Sequence, residues 1–405
     1  MMLAVLAVSC GGGGDGSSAS SSKSNGSVSP STAANSVVLT VDGGPASLPF
    51  TSTNVGFVSV TVCAPGTTNC QTIDHIVVDT GSSGLRLAQG VLNSAIASTL
   101  TPQLNGLGNP IAECLRFADG SLFWGWVRLA DVRMSGEQAL SAPIQLLGDP
   151  TLPALPSGCT GTLESAPSDI GANGVLGVGN FLQDCGTFCA VQSSNGIYYA
   201  CRASGCAADA VPVNQQVVHP VALFAQDNNG VLIQLPGLSA GGAASPSGLL
   251  IFGIGTQANN ALGSARALTV DPSLGLLTIS NGAASYPNSS IDSGSNVFWI
   301  PSSINNRPCS PTDPLAAGFL CPAAPLVLSL TVTGQNSNTA SAPITVVDPH
   351  LLFVSASLTA FNDVAAPNTD PNGLVLGLPF FFGRNVFTAI ENAATPAGPG
   401  PYVAF

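Results

Sequence analysis

Short apolar runs, broken by turn residues, follow one another along most of the chain. They are rich in Val, Ile, Leu and Thr and have the length of strands, and several alternate apolar and polar residues. Examples lie at 37–45, 56–65, 72–82, 124–134, 230–237, 248–255, 275–287, 326–334, 342–348 and 373–382. Helical patterns are short and few, with candidates at 91–99 and 379–387. The pattern therefore predicts a mostly β protein.

The first 36 residues differ from the rest. An apolar start ends in Leu6-Ala7-Val8-Ser9-Cys10, which resembles a bacterial lipobox, although no Lys or Arg precedes it. Residues 11–36 are mostly Gly and Ser and should form a flexible tether. We predict a signal and lipobox over 1–10, with lipidated Cys10 as the only membrane contact. The alternative is an apolar N-terminus with a free thiol.

The position after the lipobox cysteine bears on which membrane would hold the protein. Gly11, rather than Asp, follows Cys10, a pattern that resembles lipoproteins sent to the outer membrane rather than the inner one. The expected location is therefore the bacterial cell envelope, with the globular part in an oxidising compartment outside the cytoplasm.

Charge excludes two kinds of partner. Charged residues make up 7% of the chain, and its formal net charge is −12. Nine Lys and Arg residues in all cannot neutralise a run of phosphates, so nucleic acid is not an expected partner. A basic patch for anionic lipid is excluded for the same reason.

Ten further cysteines favour disulfides, because an exported chain with an even number usually pairs them. Cys63–Cys70 and Cys309–Cys321 are the expected local pairs. The group Cys185, Cys189, Cys201 and Cys206 could form two bridges or a metal-binding knuckle, and its spacing is wider than that of common zinc sites. We therefore predict no metal. His75, His219 and His350 lie far apart in the sequence and are interpreted as single structural histidines.

One motif occurs twice. Asp79-Thr80-Gly81-Ser82 and Asp292-Ser293-Gly294-Ser295 both follow apolar residues. An apolar-Gly segment comes later in each half, at 174–177 and at 373–377. Two carboxylates about 3 Å apart share one proton, so one can accept a proton from water while the other donates to a carbonyl.

These motifs, in this order, resemble the pepsin-like aspartic peptidases, and with the lipobox an uncharacterised family of bacterial pepsin-like lipoproteins. The resemblance implies two pseudo-twofold-related β lobes with a cleft between them. The lobes would cover 37–225, with the first catalytic Asp and the flap, and 226–405, with the second.

The resemblance also implies roles for the motif residues. Asp79 and Asp292 would be the catalytic pair, and Thr80 and Ser293 would hydrogen-bond across the lobes. Ser82 and Ser295 would brace the aspartates, while Gly81 and Gly294 would allow tight turns beside them. A single chain supplies both aspartates, so a monomer without a cofactor is expected.

A flap over the cleft is implied by a third segment. Phe117, Asp119, Gly120 and Ser121 match the flap hairpin, but Phe117 stands where the family usually has Tyr. Arg86 stands where a Trp usually bonds that Tyr. Arg86 is expected either to be solvated, with Phe117 packed, or to stack on an aromatic ring at the cleft entrance. Phe123, Trp124 and Trp126 are expected either to line subsites or to pack in the core.

Three functions remain open from the sequence. The first is an aspartic endopeptidase that binds and hydrolyses polypeptides in the cleft. The second is an inactive peptide-binding module, and the third is a structural envelope lipoprotein, since fold does not fix function. The complete set of Asp, Ser and Thr residues in both motifs favours the first, whereas the altered flap favours the second.

Overall fold

The computed structural model describes residues 33–304 and 307–405. Strands dominate it, which confirms the predicted mostly β class. The strands up to residue 225 are β1 (Ser36–Val41), β2 (Gly56–Cys63), β3 (Cys70–Asp79), β4 (Ser83–Ala88), β5 (Thr101–Pro102), β6 (Ile111–Arg116), β7 (Ser121–Met134), β8 (Glu137–Leu147), β9 (Thr162–Leu163), β10 (Gly174–Val178), β11 (Tyr198–Arg202) and β12 (Gly205–Ala208).

The strands that follow are β13 (Gly230–Gln234), β14 (Ser247–Phe252), β15 (Ala267–Thr269), β16 (Leu277–Asn281), β17 (Ala284–Ile291), β18 (Phe298–Pro301), β19 (Leu326–Thr333), β20 (Thr339–Val346), β21 (Ala365–Asn368), β22 (Val375–Leu376), β23 (Asn385–Ala389) and β24 (Tyr402–Ala404). The α-helices are α1 (Ser94–Ala97), α2 (Pro167–Ile170) and α3 (Thr187–Val191). Single 3₁₀ turns lie at Gln89–Val91, Val213–Gln215, Pro220–Leu223, Ala258–Asn260, Pro349–Leu351 and Leu378–Phe381.

Strand burial follows the sequence pattern. In β19, Leu328, Leu330 and Val332 point into the core while Val327 and Ser329 are exposed, which is the alternation expected of a sheet with one covered face. The five residues of β10 are all buried, as expected for a continuous apolar run. The apolar faces of both sheets meet in one large core of aliphatic and aromatic side chains.

The strands form a 17-stranded sheet and a seven-stranded sheet. The smaller sheet has the order β20-β19-β16-β17-β22-β18-β21. The larger one mixes both parts of the chain, because β1 pairs antiparallel with β14, which pairs in turn with β13. A single continuous sheet thus connects the segment 37–225 with 226–405.

The same local arrangement occurs in each half. In the first, β10 runs parallel to β3 and antiparallel to β4. In the second, β22 runs parallel to β17 and antiparallel to β18. Both arrangements place an apolar-Gly strand behind a loop that begins with Asp, so the sequence repeat is also a structural repeat.

Two sequence boundaries need correction. The predicted tether 11–36 ends too late, since Ser36 begins β1 and the buried amide of Asn35 donates to the carbonyl of Phe252 over 3.1 Å. The predicted helix at 379–387 is a 3₁₀ turn followed by β23. Gly383 has φ +73° and ends the turn, and the following residues pair with β13 and β24.

The helix predicted within 91–99 is confirmed as α1, where the Asn93 side chain accepts from the Ile96 N–H.

All ten cysteines of the described region are paired. Cys63–Cys70 and Cys309–Cys321 are disulfides, as predicted. The cluster that could have bound metal instead forms Cys185–Cys189 and Cys201–Cys206. The fifth bridge joins Cys114 to Cys159. Five disulfides indicate an oxidising compartment outside the cytoplasm.

Candidate active site

Asp79 is the last residue of β3, and the loop after it turns back onto its carboxylate. The Gly81 N–H donates to Oδ1 over 2.8 Å, and the Ser82 hydroxyl donates to Oδ2. The residue is 7% exposed. Both oxygens are thus fixed by groups two and three residues further along, so the short motif itself builds the local geometry.

Asp292 follows β17 and has the same local partners. The Gly294 N–H donates to Oδ1 over 3.0 Å, and the Ser295 hydroxyl donates to Oδ2 over 2.8 Å. Its own N–H donates to the carbonyl of Leu376 in β22, which fixes the loop to the apolar-Gly strand behind it. Asp292 is only 1% exposed and is therefore more deeply buried than Asp79.

The structure brings the two loops together. The two carboxyl groups lie side by side, since a Cβ added at Gly81 would be 2.8 Å from Asp292 Oδ1 and 3.2 Å from Asp79 Oδ1. Thr80 and Ser293 connect the backbones beside them, since each N–H donates to the hydroxyl of the other residue, over 3.1 and 2.9 Å. The Ser293 hydroxyl in turn donates to the carbonyl of Val78 over 2.7 Å. The predicted contact between the two motifs is therefore present.

The glycines of both motifs leave space for the opposite carboxylate. A Cβ at Gly81 would lie 2.8 Å from Oδ1 of Asp292, and a Cβ at Gly294 would overlap Oδ1 of Asp79. Gly177 passes equally close to the first loop, where a Cβ would lie 2.6 Å from the Ser83 nitrogen. Any larger residue at Gly81 or Gly294 would push the carboxyl groups apart.

Burial raises the pKa of Asp292 well above its usual range, and the negative charge of Asp79 raises it further. The hydrogen bond to Asp79 acts in the same direction, while the donors Ser295 and Gly294 oppose it only in part. The repulsion between the two carboxylates thus favours a shared proton, which would belong to the pair as a unit.

A cavity of about 310 Å³ opens above the pair. Asp79 and Asp292 lie in its wall, together with Phe117 of the predicted flap. Apolar side chains on the other sides include Phe181 and Leu274. The site is thus a pocket that combines a carboxyl pair with apolar walls, an arrangement typical of ligand-binding and catalytic sites.

The predicted flap is a hairpin between β6 and β7. The Phe117 N–H donates to the carbonyl of Ser121, and the Asp119 side chain accepts from the N–H and hydroxyl of Ser121. Gly120 turns with φ +88°. The half-buried ring of Phe117 contacts Phe123 edge-to-face, with 4.8 Å between ring centroids.

The aromatic residues after the flap pack in the core. Phe123 is fully buried, and Trp124 and Trp126 are 3% and 7% exposed. The indole N–H of Trp124 donates to the Pro153 carbonyl, and that of Trp126 donates to the Thr151 hydroxyl. The core-packing interpretation of these three residues is confirmed, because none of them lines the cavity beside the aspartates.

Both expectations for Arg86 are wrong. Its side chain is neither solvated nor stacked on an aromatic ring, but fully buried, with Nη2 3.0 Å from Glu113 Oε1 and 3.1 Å from Asp184 Oδ2. Burial opposes its charge, but the two carboxylates outweigh this and raise the pKa of Arg86. Burial of a guanidinium without acidic partners carries a large desolvation cost, so Glu113 and Asp184 are what allow Arg86 to be buried.

A comparison with protein families adds one result. The family model described as "Protein of unknown function (DUF3443)" matches residues 31–405. The chain belongs to this family. No curated protein matches it.

Sequence reasoning missed the acidic partners of Arg86 in this DUF3443 chain. Glu113 lies 27 residues from Arg86, and Asp184 lies 98 residues away, so no local motif connects the three residues. The sequence did contain one sign that Glu113 has a buried partner. Glu113 stands in an apolar run within a chain that has few charges, and a charge in a buried strand requires a partner.

One group in the described part of the DUF3443 chain has the side chains and spacing of a metal site. It consists of Cys321, Asp348 and His350. Cys321 is bonded to Cys309 and offers no thiolate, and both imidazole nitrogens of His350 lie within 2.8 Å of Asp348 and Asp313 carboxylate oxygens. Ion pairing therefore accounts for this group.

The remaining histidines lie apart from it. His75 is near the Asp42 and Asp74 carboxylates, at 3.5 and 3.3 Å. His219 is fully buried, and burial lowers its pKa to about 4, so it is neutral at physiological pH.

Within residues 33–304 and 307–405, none of the helices has the length and apolar character of a membrane span. Cys10, the predicted lipidation site, lies outside the described residues, so the anchoring of the protein remains a prediction.

Proposed function

We propose that this protein is an aspartic endopeptidase with the bilobal pepsin-like fold. One observation carries the proposal. Two Asp-(Thr/Ser)-Gly-Ser loops, 213 residues apart, meet with their carboxyl groups side by side and their backbones joined through Thr80 and Ser293. The repeated strand arrangement behind each loop supports two related lobes with the pair on their common axis.

The two aspartates would play different parts in the first step. Each accepts one backbone N–H and one hydroxyl, so their hydrogen bonds are matched and burial distinguishes them. Asp292 is the more buried, and burial and the charge of Asp79 raise its pKa, so it would carry the shared proton at the start of the reaction. Asp79 would therefore take a proton from water, and Asp292 would donate to the scissile carbonyl oxygen.

The reaction then balances without a cofactor. The water oxygen bonds to the carbonyl carbon, its proton passes to Asp79, and the Asp292 proton passes to the carbonyl oxygen. When the C–N bond breaks, the amine leaves with the proton held by Asp79, and a hydroxyl of the intermediate returns a proton to Asp292. The pair is thereby restored for the next turnover.

The substrate would be an extended polypeptide with apolar side chains at the cleaved bond. Phe117, Phe181, Leu274 and Leu276 contribute apolar surface to the cavity. Burial of one such side chain of the substrate contributes about 1.5–3 kcal/mol to binding before the costs of ordering. We expect a monomer anchored through Cys10 to the cell envelope, on the outer rather than the inner membrane.

A second candidate is a peptide-binding module without turnover. Phe117 favours it, because the flap has no hydroxyl there to donate to a substrate, and Arg86 occupies the place of its usual partner. The intact donors around both carboxylates weigh against it, since peptide binding alone does not require a shared proton.

The deciding experiment is a digest of an unbiased peptide library from pH 3 to 8. Wild type should cleave at acidic pH, whereas Asp79→Asn and Asp292→Asn should each lose about 10²–10⁴-fold in rate. Asp209→Asn is a control, because it replaces a carboxylate outside the cavity. Identical cleavage profiles for the wild type and both dyad variants would exclude the peptidase and leave the binding module.

A further inference from the structure

A second buried carboxyl pair lies beside the candidate active site. Glu113 is fully buried, and the Asp184 side chain is 2% exposed. The guanidinium of Arg86 lies between them, with Nη2 in contact with both. The Tyr198 hydroxyl donates to Asp184 Oδ1 over 2.7 Å and accepts from the Val217 N–H over 2.8 Å.

Two carboxyl groups share one guanidinium in this buried cluster. Burial raises the pKa of Asp184 well above its usual range, and the negative charge of Glu113 and a hydrogen bond to it act in the same direction. Arg86 opposes the shift. Arg86 is thus the cation that offsets the cost of burying these two carboxyl groups.

The second terminal nitrogen of the Arg86 guanidinium contacts the loop that follows Asp79. Nη1 donates to the carbonyl of Ser83 over 2.7 Å and approaches that of Gly84 at 3.4 Å. Ser83 directly follows Ser82, whose hydroxyl donates to Asp79. The guanidinium thus fixes the backbone that places this hydroxyl against the carboxylate.

Glu113 connects the cluster to the strand that leads into the flap. Glu113 lies in β6, four residues before Phe117, and Gln145 donates to its backbone carbonyl over 2.9 Å. Arg86 and Asp184 also contribute to the wall of the cavity above Asp79. One side chain therefore connects the strand that leads into the flap, the loop of the first aspartate and the segment that carries Asp184.

We propose that Arg86, held by Glu113 and Asp184, is a positioning residue that aligns the Asp79 loop with the flap strand for the reaction. The inference rests on the proposed function, because it assigns the cluster a part in peptide hydrolysis. Only the planar guanidinium fork can serve two carboxylates and two carbonyls from one position, so lysine cannot replace it.

The first test compares Arg86→Lys with Arg128→Lys in the full chain. Arg128 is a control because it pairs with one carboxylate, at 3.7 Å, and lies outside the cavity. Arg86→Lys should lower kcat at least tenfold with less than a threefold change in KM. The acid limb of its kcat/KM profile should move to higher pH, because the carboxyl pair loses a well-placed donor, the Ser82 hydroxyl. Arg128→Lys should change neither quantity.

Glu113→Gln and Asp184→Asn keep the shape of the cluster and test it even if Arg86→Lys does not fold. Glu113→Gln should raise KM more than Asp184→Asn does, because Glu113 belongs to the flap strand. A lower melting temperature with unchanged kcat and pH profile in all three variants would show a purely structural cluster and overturn the proposal.

A readout without turnover separates this inference from the proposed function. The carboxyl carbons of Asp79 and Asp292 can be titrated by ¹³C NMR in wild type and in Arg86→Lys, or in Asp184→Asn. A shift of the first dyad titration to higher pH supports positioning even if the wild type cleaves nothing. Superimposable titration curves would overturn the positioning role even if the wild type is an active peptidase.

Discussion

Thr80 and Ser293 hold each other by two matched hydrogen bonds, in which each backbone N–H donates to the other's hydroxyl. Both residues are buried, so an N–H that loses its partner stays without water. This contact is the link between two loops that are far apart in the sequence, and it sets the spacing of the two carboxyl groups.

Removal of one hydroxyl should therefore affect stability and activity together. Thr80→Ala leaves the Ser293 N–H unpaired and should cost about 1–3 kcal/mol in free energy of unfolding. Cleavage should fall as well, because the two loops lose their alignment. Thr80→Ser is the matched control and should retain both, as measured by urea unfolding and peptide cleavage. Equal losses in the Ala and Ser variants would contradict the role of the hydroxyl.

A methyl group beside the carboxyl pair should disturb the site with little effect elsewhere. A Cβ at Gly294 would overlap the Asp79 carboxylate, so Gly294→Ala should lower the cleavage rate by about tenfold or more, since small displacements of reacting groups are costly. Gly90→Ala is the control, because a Cβ there meets nothing within 4 Å. Full activity of Gly294→Ala would mean that the pair tolerates displacement.

The raised pKa of Asp292 makes a prediction for stability against pH. Its pKa is higher in the folded than in the unfolded protein, so the folded state binds more protons above the unfolded pKa of about 4. Stability should therefore fall as pH rises from about 4 towards the folded pKa. Asp292→Asn removes this contribution, so its melting temperature should exceed that of wild type at pH 7.

Calorimetry from pH 3 to 8 tests this prediction. The difference should be on the order of 2 °C or more at pH 7 and should vanish near pH 3, where Asp292 is protonated in both the folded and the unfolded protein. Asp209→Asn serves as the control, because it replaces a carboxylate outside the cavity. A wild type that is more stable than Asp292→Asn throughout this range would contradict the assignment of the proton.

The disulfides should contribute unequally to stability. Cys114–Cys159 closes a loop with a sequence separation of 45, whereas Cys185–Cys189 spans 4. Loop-closure entropy predicts a loss of about 4 kcal/mol when both cysteines of the first pair become Ser, and about 2 kcal/mol for the second. Denaturant unfolding of the two double variants checks the order. The reverse order would show that strain or packing outweighs the loop entropy.

Lipid anchoring depends on a residue outside the described region. In a Gram-negative host, the full chain should pellet with membranes and incorporate labelled palmitate, and Cys10→Ala should be soluble and unlabelled. Ser9→Ala keeps a small residue before the cysteine and should behave as wild type. Cys10→Ala that still pellets with membranes would exclude the lipobox interpretation.

The sequence predicted those parts of the site whose partners are close in the chain. Asp79, Gly81 and Ser82 belong to a unit of four residues, and the repetition of this unit at Asp292 was enough to mark the second loop. The disulfides Cys63–Cys70 and Cys309–Cys321 were predictable for the same reason, since short loops close easily.

The environment of Arg86 was not predictable, because burial of a charge depends on partners that only the fold brings near. The segment 379–387 illustrates the same limit. Its aromatic residues suit a helix or a strand, and the outcome is decided by pairing with β13, more than 150 residues earlier.

The pairing of β1 with β14 also constrains how the chain can fold. Val37 aligns with Leu250, so the first strand has no β14 partner until more than 200 further residues have been synthesised. Closing so long a loop is slow, and until then the β1 edge can pair with other chains. A fragment that ends near residue 225 would keep this open edge permanently. The half of the protein that carries Asp79 is thus unsuited to independent expression, and a nascent chain held at its N-terminus would need its residues up to Phe252 outside the cytoplasm before the first strand could be enclosed.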